Sequence, residues 1–230
     1  MKGTARKPGS RRKKKTQGGR ALAQKRRAAT ILARLEKLYP EARCSLVHAS
    51  PLQLLIATIL SAQCTDARVN MVTPELFARF PTAADFAAAD PSELEGLVRS
   101  TGFYRNKARN IIACAQQLLL RHGGQVPSTL EELVQLPGIG RKTANVVLGN
   151  AFDTPALVVD THVTRLANLL SLTVQKDPNK IELDLMEVIP RAKWTELAHL
   201  FIEHGRRVCV ARRPRCNECV LNDLCPSSEV

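Results

Sequence analysis

Apolar residues recur along most of this chain at spacings of three and four, the repeat that gathers them on one side of an α-helix. The pattern predicts helices over residues 24–38, 51–62, 83–88, 91–99, 106–120, 130–136, 142–151, 161–170, 178–189 and 193–208. Another begins at Asp66, and Pro74 should kink it or split it in two, because proline lacks an amide proton and its ring crowds the preceding turn. The punctuation agrees with the periodicity. Ser50 before Pro51 reads as an N-cap with proline at the first helical position, and Tyr39-Pro40 closes the first helix. Gly102 and the run His122-Gly123-Gly124 close two more. Only residues 156–159 offer a strand, and four apolar residues without a partner strand make a poor sheet. The predicted class is all-α, with no internal repeat at a fixed period.

The longest apolar run, residues 54–60, is far too short to cross a bilayer. No apolar segment follows the early basic residues, so a secretory signal is not expected. With 44% apolar residues in 230, the chain has enough material for one compact domain or two small ones sharing an interface. The net charge of +13 is distributed unevenly. Residues 1–27 hold 12 Lys or Arg and no acid, so 13 − 12 leaves only +1 for the other 203 residues. Residues 1–22 read as a basic arm without enough apolar surface to fold alone. Such an arm can hold a protein near polyanions by releasing counterions, or it can be a solubilising tail, or an organelle or nuclear address.

Seven cysteines, an odd number without a secretory signal, argue against a disulfide framework. Four of them, Cys209, Cys216, Cys219 and Cys225, crowd the C-terminus with intervals of six, two and five residues. Thiolates in so short a compass can enclose one metal centre, and by spacing alone an iron–sulfur cluster and zinc are equally plausible. Cys44, Cys64 and Cys114 suit core or near-site positions.

Leu136-Pro137-Gly138-Ile139-Gly140-Arg141-Lys142 lies between two helical patterns. Glycines at 138 and 140 permit positive φ and the close approach of another backbone. The helix that follows presents amides and the positive end of its dipole, with Arg141 beside them. That combination grips phosphate without reading bases. The plain alternative is a tight turn joining two core helices.

Residues 136–148 (LPGIGRKTANVVL), Val159-Asp160-Thr161-His162 and Ser61-Ala62-Gln63-Cys64-Thr65-Asp66 together resemble the endonuclease III family of helix-hairpin-helix DNA glycosylases. The likeness runs from about residue 24 to 225. It implies that Lys142 is the nucleophile and Asp160 its carboxylate partner. A lysine can attack only as a free amine, so the helix dipole, burial and Arg141 should all oppose its protonation. Taken alone, Lys142 is a solvated helix-start lysine and Asp160 an N-cap; the second role is compatible with catalysis, since a cap holds its carboxylate rigidly. His162 reads as a local hydrogen-bonding partner. The adenine-removing relatives lack the hairpin lysine and use an acid that residues 60–65 do not supply.

The resemblance also implies a [4Fe–4S] cluster on the four C-terminal cysteines, displaying Arg212, Arg213 and Arg215 toward phosphate, with Lys176 and Lys193 extending that face. Gln63 and the residue at 103 should enter the duplex when a nucleotide is extruded. The family places leucine at the second position; here it is Phe103, which could equally be a core aromatic beside Gly102. The implied architecture is two helical domains with DNA in the cleft between them. One covers residues 44–155 and includes the hairpin at 136–142. The other joins 23–43 to 156–230 and carries the cluster. The implied activity is release of oxidised or ring-damaged pyrimidines from double-stranded DNA, then β-elimination at the abasic site, by a monomer in the bacterial cytoplasm. A damage sensor without turnover and a monofunctional glycosylase are the rival classes.

Overall fold

The computed structural model describes residues 10–230, and for residues 10–18 and 20 the backbone alone. Residues 1–9 of the basic arm therefore fall outside the described residues. Among those residues every regular element is helical: α1 (Ser10–Leu38), α2 (Pro51–Ser61), α3 (Asp66–Arg79), α4 (Ala83–Ala87), α5 (Pro91–Val98), α6 (Tyr104–His122), α7 (Leu130–Leu133), α8 (Arg141–Ala151), α9 (Thr161–Leu169), α10 (Pro178–Val188) and α11 (Trp194–Arg207), with short 3-10 turns between some of them. Residues 156–159, the strand candidate, form a buried irregular segment. The chain divides into two compact units, Arg43–Val158 and a second made of the described residues up to Ala42 with Val159–Val230. No helix among the described residues is long and apolar enough to cross a membrane.

Within Arg43–Val158, α2 is the central element. Seven consecutive residues, 54–60, are buried, and the helix packs on α3, α6 and α8. Burying its Leu54, Leu55, Ile56, Ile59 and Leu60 contributes on the order of 10 kcal/mol as an upper bound. Ser50 caps it as expected, accepting the Gln53 amide at 3.2 Å. The helix α3 runs unbroken through Pro74, against the sequence expectation. Pro74 is exposed, and positions four apart share a face, so the Asn70 carbonyl that loses its partner lies on the exposed side.

In the second unit, α1 and α9 both pack on α10 and α11. The α1 helix begins at Ser10, so the backbone of residues 10–22 is helical where charge alone suggests an unfolded arm. Arg27, counted in the basic run, is structural: its guanidinium donates to Leu224 O at 3.0 Å and also to Leu170 O. Arg34 does the same with Val220 O at 2.8 Å and with the Asp223 carboxylate. Two arginines one helical face apart thus tie α1 to the C-terminal loop.

Candidate active site

The hairpin lies between α7 and α8. Leu136 and Ile139 are buried, and the Ile139 amide donates to Leu136 O at 3.1 Å. Gly138 has φ +77°, and a Cβ there would stand 2.9 Å from Asn110 Cβ, so both backbone and packing require glycine. Gly140 departs from the expected positive φ. Its φ of −92° and ψ of 173° are extended backbone, and a Cβ there would meet nothing within 4 Å. What glycine provides at 140 is room.

Helix starts in this unit divide into two kinds. The side chains of Ser50, Thr65, Thr82, Asp90 and Thr129 each accept a first-turn amide and so cap α2, α3, α4, α5 and α7. The remaining two, α6 and α8, start from Phe103 and Gly140 with no side-chain cap. Omitting a cap forgoes about 1 kcal/mol. It leaves amides and the dipole's positive end directed at another partner, and phosphate suits both.

Arg141 and Lys142 occupy the first turn of α8 and are exposed. The exposure of Lys142 in the free protein departs from the burial expected of it. The buried positions of α8 are Ala144, Asn145, Val147 and Leu148, which turns the start of the helix outward. Asn145 Nδ2 donates to Leu157 O at 3.0 Å and fixes the irregular segment 156–158 against α8.

Gln63 and Phe103 are both exposed and both lie in the left-handed region, at φ 52° and 47°. For residues with a Cβ this costs about 1 kcal/mol each. Phe103 is 62% exposed, so the core reading of this ring is wrong.

In the other unit Asp160 is the N-cap of α9, its Oδ1 accepting the Val163 amide at 2.8 Å. His162 sits 3.2 Å from Arg165 Nη2 through Nδ1, under Gly205, where a Cβ would come within 2.7 Å of that nitrogen. Burial lowers the His162 pKa and the Asp160 charge opposes it.

The four C-terminal cysteines line one cavity of about 80 Å3 together with Leu169, Val208 and Pro214. Among the described residues no three His, Cys, Asp or Glu form a group that could hold a single metal ion. Four cysteines lining one cavity fit a cluster held by four cysteine ligands. Cys219 Sγ accepts the Leu221 amide at 3.4 Å and lies 3.4 Å from His204 Nε2. Burial raises the Cys209 and Cys219 thiol pKa values, while the Arg165 guanidinium pulls Cys209 back. Arg165 also donates to Cys209 O at 2.7 Å.

Arg212, Arg213 and Arg215 are exposed on the loop between the first two cysteines, which the Arg215 amide closes onto Val208 O at 3.0 Å. The Arg215 guanidinium is 3.7 Å from Glu218. Lys176 is exposed, but Lys193 pairs with Glu36 at 2.8 Å and Glu196 at 2.6 Å and so is committed to the fold. Lys107, Asn110, Arg165 and His204 escaped the sequence reading. Lys107 lies inside the segment 102–108 that carries Phe103, with no role read for it; the other three carry no local signal.

An all-helical fold with a glycine hairpin before an uncapped helix, and four cysteines about one cavity, defines a class of base excision repair proteins. Residues 56–191 match the HhH-GPD superfamily base excision DNA repair protein family, and residues 209–225 match the iron–sulfur binding domain of endonuclease III. Endonuclease III of Synechocystis sp. is 53% identical over 208 residues, covering 90% of this chain and 95% of its own. A non-covalent endonuclease III–DNA complex and a trapped endonuclease III–DNA covalent intermediate each superpose with a TM-score of 0.85 at 45% identity, over 89% of this chain and 96% of theirs. The chain belongs to the endonuclease III family, and residues 209–225, which contain the four C-terminal cysteines, are its match to the family's [4Fe–4S] cluster-binding domain.

Proposed function

We propose that this chain, a base excision repair glycosylase and abasic-site lyase acting on DNA, releases oxidised and ring-damaged pyrimidines through an imine formed by Lys142. The observation that carries the reading is the exposed Lys142 on the first turn of α8, directly after a glycine turn with space at residue 140 and no capping side chain. The amine nitrogen adds to the sugar carbon bearing the base, and the base leaves with the bonding electrons and a proton; the nitrogen lone pair then breaks the bond from that carbon to the ring oxygen, which takes up a proton as the sugar opens to the imine. The resulting imine acidifies the neighbouring carbon; loss of its proton expels the 3′ phosphate. Asp160, held rigid by the Val163 amide, accepts the amine proton and offsets positive charge developing on the sugar.

Gly138, Gly140 and Arg141 hold phosphate, and Gln63 and Phe103 fill the space left by the extruded nucleotide. Arg212, Arg213 and Arg215 add phosphate contacts from the loop between Cys209 and Cys216. When bound, the cluster supplies a rigid anchor for that loop. In this reading the chain acts as a monomer on cytoplasmic double-stranded DNA that holds damaged pyrimidines or abasic sites; the bacterial relatives and the endonuclease III–DNA complexes support DNA as the partner.

Borohydride trapping on a duplex with an oxidised pyrimidine tests the reading. A covalent complex that disappears in Lys142→Ala is expected. Base release without an adduct would assign a monofunctional glycosylase, and binding with neither would assign a damage sensor.

A further inference from the structure

Gln63 and Phe103 belong to separate turns forty residues apart in sequence, yet one buried side chain lies under both. Lys107, on α6, is 4% exposed. Its Nζ donates to Leu60 O at 2.8 Å and to Thr101 O at 2.7 Å. Leu60 is in the last turn of α2, three residues before Gln63; Thr101 ends the 3-10 turn Arg99–Thr101, two residues before Phe103. The Lys107 amide also makes the first hydrogen bond of α6, to Phe103 O at 3.1 Å.

Burying an ammonium is unfavourable unless its donors are satisfied, and helix ends offer carbonyls together with the negative end of the dipole. A buried lysine at this place is therefore physically reasonable, but satisfying two helix ends does not require a single side chain. What the single side chain adds is a fixed spacing between them. Residues in the left-handed region persist only where their surroundings over-determine the backbone. At each turn a carbonyl two or three residues before the strained residue is held by Lys107. Burial lowers the Lys107 pKa, and the bridge survives loss of the proton, since a neutral amine still donates two hydrogens.

We infer that Lys107 is a positioning residue for base extrusion: it locks the Gln63 and Phe103 turns at one spacing so that both side chains enter the duplex together. This rests on the proposed function, in which those two residues occupy the opened stack. Lys107 itself touches no substrate.

The test uses the full-length, cluster-loaded protein and Lys107→Met, which keeps the length and removes the donors. Extrusion is followed by stopped-flow emission of 2-aminopurine beside an oxidised pyrimidine. Chemistry is followed separately by single-turnover cleavage at an abasic site in an unpaired bulge, where no base pair must open. The expected result is at least a tenfold slower emission rise in Lys107→Met with bulge cleavage within about threefold of wild type. Equal losses in both assays, or no loss in the first, overturn the inference. If the wild-type protein produces no emission change, the extrusion reading fails and takes this inference with it. Should Lys107→Met not fold, a double-mutant cycle of Gln63→Ala and Phe103→Ala replaces it. Turns held as one body give effects on the emission rate that depart from the product of the single effects by more than about threefold; effects that multiply overturn the inference.

Discussion

His204 Nε2 lies 3.4 Å from Cys219 Sγ, and the other ring nitrogen, Nδ1, lies 3.0 Å from the Tyr39 hydroxyl. With Cys219 as the proposed cluster ligand its sulfur carries no proton, and Nε2 then donates while Nδ1 accepts from Tyr39. The imidazole is 1% exposed and cannot exchange this bond for water. Donors to cluster sulfurs stabilise added negative charge. His204→Leu should therefore lose visible cluster absorbance faster under chelator and shift the cluster's reduction potential downward. His204→Gln, which can still donate, should fall between. An unchanged potential in His204→Leu would show that the ring serves packing alone.

The two hairpin glycines make opposite predictions. Gly138→Ala places a methyl against Asn110 in a backbone with φ +77°, and strain and crowding together should cost about 2–4 kcal/mol. Gly140→Ala enters open space from an extended backbone and should change stability by no more than about 0.5 kcal/mol. Its effect should appear in duplex affinity, because the added methyl occupies the place where a phosphate would approach. Denaturation midpoints and binding isotherms for both variants separate the two roles.

Much of this was legible because the signals are local. Ser50 and the spacing of Leu54 to Leu60 announce α2, and Asp160 announces α9. The unreadable features depend on distant partners or on broken local rules. Neither Gln63 nor Phe103 is a residue that favours positive φ, so their turns leave no trace in the pattern. Lys107 resembles any helix-surface lysine until α2, forty-seven residues earlier, provides a carbonyl. Arg27 was read with the basic run because charge counting cannot see that Leu224 and Leu170 take its donors. Lys142 was expected to be buried because its chemistry favours it; α8 instead points its first turn outward.

Arg27 supports a prediction of its own. Arg27→Ala removes charge-assisted bonds to three carbonyls, those of Leu170, Ser171 and Leu224, and should destabilise the fold by about 2 kcal/mol. Because Leu224 adjoins Cys225, cluster loss under chelator should also accelerate. Arg27→Lys should recover little, since one ammonium cannot reproduce a planar fork aimed at both Leu170 and Leu224. A melting temperature equal to wild type in Arg27→Ala would place the residue with the solvated arm.

Acidity should weaken the fold well above the range in which its carboxylates titrate. Burial lowers the pKa of His162 and of His199 below the ordinary histidine value near 6.5. The unfolded chain then binds protons that the native state refuses, so stability rises with pH. The contribution is fully present above about pH 6.5 and is lost as pH falls toward the folded values. Asp90 and Asp223 are held below their usual carboxylate range by Ser92 and Arg34, respectively, and remain ionised in both states at pH 5.5. A lower melting temperature at pH 5.5 than at pH 7.5, at one scan rate with the cluster retained, therefore reports the histidines. His199→Leu should shrink that difference. A difference of the same size in the variant would remove His199 from the account.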